Sequence, residues 1–313
     1  MNSTNNSSCN ELRPESHVSR RAFLKHGSLV LAGVGGAATL GNVMAGEDAA
    51  PSKPALRVGM LTDVHYSDCA TRGTRRYRES LKKMAEAAEK FRASGVTSVI
   101  ELGDFIDTGA DLKKEIANLK LIEAEFVACA KDRHHVLGNH CVSNLTKEEF
   151  LGTVGAKAAH YSFDRGGFHF VVLDACYRSD GVAYSRHNFD WKDTNISPPE
   201  LEWLEADLAQ TKKRTICMVH QRLDEGRPYG VKNAQKVRRV FERSEKVLAV
   251  FQGHNHINAY NHIGGVHYCT LHSVVDGPFP KENGYAIVDL FSDGSVRIDG
   301  FRKQSDYQWK AIA

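Results

Sequence analysis

The sequence predicts an α/β domain with a largely β C-terminal part, preceded by a separate leader. Two observations carry this expectation. From residue 56 onward, short apolar runs of strand length alternate with amphipathic stretches of helical period. Five of those runs also end in residues of metal-ligating type, which suits an open sheet whose strand ends converge. The 313 residues fit one large domain, or a domain with an added segment. With 42% hydrophobic and 25% charged residues, the chain can bury a normal core. A net charge of +3 is too mild to indicate nucleic-acid binding. The seven cysteines contain no C-x-x-C pair, so neither a zinc ribbon nor a thioredoxin-like site is indicated.

The elements follow in order. Leu56–Leu61 reads as a first strand and Thr97–Leu102 as a second. Between them, Arg75–Ala93 reads as a helix, with Leu81, Met84, Ala88 and Phe91 on one face. A second helix is expected over Leu112–Ala130, then strands at His135–Leu137, Ala159–Phe163 and Phe168–Leu173. Ser197-Pro-Pro-Glu200 opens another helix: serine caps it, proline sits in the first turn and Glu200 completes a capping box. Thr215–Val219 and Val247–Phe251 read as buried strands with a helix between them. Gly265–Phe301 reads as strands joined by turns, and 304–313 as a tail. The domain itself is placed at 56–303.

Residues 1–45 read as an address. Ser19-Arg-Arg-Ala-Phe-Leu-Lys25 precedes a weakly apolar Gly/Ala run and small residues. This is the layout of a twin-arginine export signal, with cleavage expected after Ala45. The apolar core is too short and glycine-rich for a membrane span. A Pro/Ala linker follows at 46–55. The expected partner is the twin-arginine export machinery, and the expected location is periplasmic or extracellular, with no membrane anchor after cleavage.

Asp63-Val-His65, Gly103-Asp104, Gly138-Asn139-His140, His220 and Gly253-His254-Asn255-His256 each follow a predicted strand. Each alone has an ordinary explanation, such as a turn, a cap or a hydrogen-bonded histidine. Five in order, all at strand ends, are not explained by packing. The set resembles the calcineurin-like metallophosphoesterases, whose pattern runs D-x-H, G-D, G-N-H-[D/E], H, G-H-x-H, and the resemblance spans residues 56–302. It implies a four-layer αββα sandwich of two mixed sheets flanked by helices. It further implies that Asp63, His65 and His256 hold one metal and Asn139, His220 and His254 the other, with Asp104 shared. Mixed oxygen and imidazole donors suit manganese, iron or zinc, and two such ions can share a hydroxide that attacks phosphorus. The resemblance leaves His140 beside the metals, placed to protonate a leaving oxygen. Cys141 stands where the family has an acid that helps to orient this histidine.

Asp107 stands where purple acid phosphatases carry tyrosine, so no tyrosinate chromophore is expected. The chain is similar to manganese-dependent ADP-ribose/CDP-alcohol diphosphatases in Thr62–Tyr66, Arg75–Leu81, Leu102–Asp107, His134–His140 and Gly265–Val275, although it keeps His65 where they tend to have glutamine. The implied activity is hydrolysis of a phosphodiester or diphosphate, manganese being the favoured metal and a small phosphorylated molecule the substrate. A phosphomonoesterase and a non-catalytic scaffold are the alternatives. Arg75 and Arg76, with Arg72 and Arg78 near them, are candidate phosphate contacts, since guanidinium offers a planar fork of donors. Tyr66 and Tyr177 are candidate stacking residues.

Overall fold

A computed structural model describes residues 53–226 and 228–310. The expected export signal and most of the linker lie outside the described residues. Among the described residues are twelve strands and five α-helices: β1 Leu56–Leu61, α1 Ser80–Ala93, β2 Ser98–Glu101, α2 Leu112–Val127, β3 Asp132–His135, α3 Lys147–Val154, β4 Tyr161–Arg165, β5 Phe168–Val172, α4 Pro198–Gln210, β6 Thr215–Met218, α5 Ala234–Ser244, β7 Val247–Gln252, β8 Ala259–Ile263, β9 Val266–Thr270, β10 Gly284–Leu290, β11 Val296–Arg302 and β12 Tyr307–Trp309. No helix among the described residues is long and apolar enough to cross a membrane.

The strands make two six-stranded sheets, ordered β12-β11-β10-β1-β2-β3 and β4-β5-β6-β7-β9-β8. Both are mixed. β1, β2 and β3 run parallel, as do β5, β6, β7 and β9, while β10–β12 and the edge strands β4 and β8 pair antiparallel. The period-two alternation of side chains sorts the apolar residues into three layers. Val58, Met60 and Ile100 of the first sheet meet Phe170, Met218 and Phe251 of the second in the core between the sheets. Leu61 and Val99 turn the other way, toward Phe91, Leu119 and Phe126 of α1 and α2. Val171, Cys217 and Val250 face Leu204, Leu208 and Val237 of α4 and α5. The result is the four-layer αββα arrangement.

Three local expectations are corrected. The helix expected from Arg75 begins at Ser80, because Arg72 and Arg75 exchange backbone hydrogen bonds in a tight hairpin and Tyr77–Glu79 makes a 3-10 turn. The third strand is Asp132–His135, shifted back from His135–Leu137 by its register against β2. The expected tail contributes the edge strand β12, paired with β11. Helix α3 went unanticipated, although Thr146 and Glu149 form a full capping box and Gly155 closes it in the left-handed conformation.

Candidate metal centre

The carboxyl ends of β1, β2, β3, β6 and β7 meet at one edge of the sandwich. The loops leaving them bring Asp63, His65, Asp104, Asn139, His220, His254 and His256 together; six are buried and His256 is nearly so. Ligand-type atoms gather in overlapping groups: Asp63, His65 and His256; Asp104, His220 and His254; and His65, Asp104 and His140. His65 Nε2 is 3.2 Å from His256 Nε2 and 3.5 Å from Asp104 Oδ2, which is 3.0 Å from His220 Nε2. Asp104 therefore faces both groups.

Close approach of backbones makes this convergence possible. A Cβ on Gly138 would lie 2.2 Å from the amide nitrogen and Oδ1 of Asp104. A Cβ on Gly253 would lie 2.0 Å from Thr62 Oγ1 and 2.6 Å from Asp63 Oδ2. Asp63, His65, Asp104, His254 and His256 all have positive φ, between 43° and 76°. Residues other than glycine adopt that region at a cost of order 1–3 kcal/mol each and hold it where surrounding structure imposes it, often at functional sites.

Nearly every imidazole is oriented by a partner on its far nitrogen, the arrangement typical of metal-binding histidines. His220 Nδ1 donates to the carbonyl of Leu102 (2.9 Å), His65 Nδ1 to Asp107 Oδ2 (3.0 Å) and His256 Nδ1 to Asp276 Oδ2 (2.6 Å). Each Nε2 is thereby aimed inward. Asp63 Oδ2 accepts from Thr62 Oγ1 and from the amide of His254, both at 2.9 Å. Its other oxygen, 3.3 Å from His256 Nε2, makes no hydrogen bond, and neither do Asn139 Oδ1 and His254 Nε2, all buried. Buried polar atoms are normally satisfied, so three buried atoms with uncommitted lone pairs in one cluster fit cations.

The electrostatics agree. Burial opposes ionisation of Asp63 and Asp104, yet His256 and His220 hold the first well below the carboxylate range, and His220 and His140 lower the second. Burial likewise opposes protonation of His220 and His256, but the carboxylates overrule it and raise them to about 9 and about 10. His254, buried beside His220, is pushed down to about 3. Two buried carboxylates thus demand positive charge, which divalent ions can supply in place of protons. The donor set of carboxylate, amide and imidazole without thiolate fits a transition metal.

Asp107 connects this centre to its rim. Its Oδ2 accepts from His65 and from Arg75 Nη1 (3.1 Å), and its Oδ1 accepts from His140 Nδ1 (3.3 Å). It therefore does the orienting that Cys141, fully buried, does not. Burial works against the His140 imidazolium, but Asp104 and Asp107 hold its pKa above the ordinary value.

A cleft of about 630 Å³ opens over Asp104, Asn139, His140 and His254. Arg72 and Arg75 line one part, and Phe189, Trp191 and Tyr229 another. Trp191 and Tyr229 lie 5.5 Å apart and each about 6 Å from His254, while Phe189 is 5.6 Å from His140. A second cavity of about 410 Å³, beside Glu123, Arg133 and Tyr161, contains none of the centre's residues.

Three expected substrate contacts, Tyr66, Arg76 and Tyr177, are not among the residues that line the cleft. Tyr66 is buried among the apolar residues under α1, where its backbone bridges to Ile106. Arg76 points its Nη1 at Thr71 and lies outside the cleft. Tyr177 packs under the Lys147 ammonium, 3.7 Å from its ring centre, and also stays out. The aromatic wall had no sequence signal beyond its composition, because it comes from two irregular loops. The six cysteines of the described residues are unpaired.

Similarity to known proteins follows the same lines. The manganese-dependent ADP-ribose/CDP-alcohol diphosphatase of Danio rerio is 26% identical over 306 residues, covering 78% of this chain and 94% of that protein. Its namesake from Arabidopsis thaliana is 23% identical, covering 82% and 97%. A crystal structure of a dimetal phosphatase from Danio rerio superposes with a TM-score of 0.73 at 22% identity, covering 83% of this chain and all of that one. A purple acid phosphatase from yellow lupin superposes with 0.54 at 14% identity, covering 82% and 54%. At those identities the two structures establish the fold alone. The family model for calcineurin-like phosphoesterases matches residues 56–258, the span that holds all seven clustered donors, and the chain belongs to that family.

Proposed function

We propose that the protein hydrolyses phosphodiester or diphosphate bonds of nucleotide-like molecules of the ADP-ribose/CDP-alcohol type, using two metal ions, with manganese favoured. Asp63, His65 and His256 would hold one ion and Asn139, His220 and His254 the other, with Asp104 placed to serve both. Bound there, a pair of divalent cations supplies Lewis acidity and a water-derived nucleophile near neutral pH. The chain's own residues do the rest. Asp107 fixes the Nδ1 proton of His140, leaving Nε2 at the cleft to protonate the departing oxygen. Arg75, braced by Asp107, and Arg72 present guanidinium groups to phosphate oxygens. Phe189, Trp191 and Tyr229 offer an apolar wall to a base or sugar.

The observation that carries this reading is the set of buried lone-pair atoms without hydrogen bonds, those of Asn139 and His254 on residues that line a cleft shared with arginines and aromatic side chains. A scaffold without turnover has no need of seven competent donors, and a bare phosphate monoester has no need of the aromatic wall. The names of the similar diphosphatases support the substrate class and the metal.

The test is hydrolysis by residues 46–313 after manganese loading, with ADP-ribose, a bis-aryl phosphate and the matching aryl monoester side by side. Asp104→Ala is the control. Turnover of the first two, lost in the variant, is expected. Preference for the monoester moves the protein to the phosphatases, and no turnover with manganese, zinc or iron sinks the catalytic reading.

We also propose export by the twin-arginine route, on the strength of Arg20, Arg21 and the Gly/Ala run that follows. Fractionation of cells expressing the full chain tests it: replacing both arginines by lysine should retain the protein in the cytoplasm. Unchanged export of that variant defeats the proposal.

A further inference from the structure

We propose that Lys83 is a positioning residue that sets the Asp63/His65/His256 half of the metal centre and the arginine hairpin beside it. The inference rests on the metal-centre reading above. Lys83 is fully buried in the first turn of α1. Helix stability does not explain it there, since a cation near a helix N-terminus opposes the helix dipole and burial strips its hydration. What surrounds it does. Its Nζ lies 2.8 Å from the carbonyl oxygens of Val274, Asp276 and Gly277, and 3.2 Å from that of Val275. Four consecutive carbonyls curl around one ammonium, as they would around a monovalent cation, so the loop after β9 takes its shape from this side chain.

That loop touches the centre at three places. The amides of Val274 and Val275 donate to the carbonyls of Thr62 and Asp63, both at 3.0 Å, which supports the Asp63 backbone in its left-handed conformation. Asp276 accepts from His256 Nδ1 at 2.6 Å and from Ser273 Oγ at 2.6 Å, which aims His256 Nε2 inward. Asp276 also bridges to Arg75 through the backbone, while Arg76 donates to the Val275 carbonyl and Gly277 to the Thr74 carbonyl, both at 2.9 Å. One ammonium therefore braces, from behind, two candidate ligands and the hairpin that presents Arg72 and Arg75. The other group of donors, Asn139, His220 and His254, has no contact with the loop among the hydrogen bonds of the described residues.

This asymmetry separates a positioning role from a merely structural one. Lys83→Met keeps the length of the side chain and removes its donors. Manganese binding to the chelated protein, residues 46–313, is measured by calorimetry and by electron paramagnetic resonance, alongside unfolding in urea. Wild type is expected to bind two ions and show the spectrum of an exchange-coupled pair. In Lys83→Met one site should weaken at least ~10-fold, as loss of outer partners does, and the other stay within about twofold. The spectrum at matched occupancy should become that of an isolated ion. Two unchanged sites in a folded variant, or both weakened alike in step with lost stability, overturn the proposal. Should Lys83→Met fail to fold, Asp276→Ala carries the test, because it removes the acceptor of His256 Nδ1 and of Ser273 Oγ while leaving the backbone carbonyls around Lys83 in place; two unchanged sites there also overturn it. Wild type that binds no ion pair is a separate result, and it removes the reading on which the inference rests.

Discussion

Replacing Asp107 by asparagine tests the centre at its most connected carboxylate. Three side-chain donors converge on this carboxylate: His65 and Arg75 on one oxygen, His140 on the other. An amide of the same shape has one accepting oxygen and one donating nitrogen. If its oxygen faces His65 and Arg75, its NH2 faces His140 Nδ1 and no longer supports the imidazolium. If it turns over, His65 must carry its proton on Nε2 and cannot ligate. General-acid catalysis is worth about 10²–10⁴ in rate, or about 2.7–5.5 kcal/mol, and loss of an outer partner costs ~10–100-fold in metal affinity. Asp107→Asn should therefore lose one of these amounts in full. The assay is kcat at saturating manganese over a series of aryl phosphodiesters from 4-nitrophenol to phenol, with a parallel metal titration. A lost acid makes the variant's rates fall more steeply as the leaving group becomes more basic; a lost ligand weakens one metal site and leaves that slope alone. Rates, slope and affinity all within about threefold of wild type would refute the assignment of Asp107 and, with it, the protonating role of His140.

Other expectations are more local. Gly138→Ala puts a methyl 2.2 Å from the Asp104 carboxylate and amide, so it should destabilise the protein by about 1–3 kcal/mol and weaken both metal sites, read by urea unfolding and metal titration. Chelation should abolish turnover reversibly and lower the unfolding midpoint, with manganese restoring both in a concentration-dependent way; a midpoint blind to manganese contradicts the ligand assignment. Trp191→Ala should raise KM for ADP-ribose several-fold while sparing a small aryl diester, and an equal effect on both argues against a base-facing wall. The buried pair Glu101–His135 supplies a pH prediction. Burial pushes Glu101 up from 4.5 to about 7. Burial alone would lower His135, but Glu101 and Glu123 raise it from 6.5 to about 9. Both folded values exceed the unfolded ones, so the folded state binds more protons and stability falls as pH rises through about 7 and then about 9. In the metal-free protein this pair should contribute a loss of about 1–3 kcal/mol, and Glu101→Gln/His135→Gln should make the slope shallower, the remainder belonging to His220 and His256.

The catalytic half of this molecule is legible in the sequence because strand ends are. Val58–Leu61 and Val247–Phe251 are continuous apolar runs, and such runs in a parallel sheet stop where the chain leaves the core. Asp63, Asp104, His220 and His254 stand at those stops and so announce themselves. What surrounds them is set by spacing in three dimensions. Asp107 and Asp276 act through loops that meet only after both sheets have formed. Phe189 and Trp191 sit in an irregular stretch without periodicity, and nothing local distinguishes them from Tyr66, which turned into the core. Helix α3 was missed for a different reason: eight residues are too few for a period to show, even behind a complete capping box.

The division of the seven donors between the sheets has a mechanical consequence. Both carboxylates, the amide and His65 leave the first sheet, whereas His220, His254 and His256 leave the second. Metal ions held there are rivets across a lap joint. Any shear of one sheet over the other translates directly into ligand separation, and the layer that resists shear is the packing of Met60 and Ile100 against Phe170 and Met218. Conservative changes of volume in that layer, remote from the cleft, would alter the separation of the two groups of donors and so the spacing available to a pair of ions.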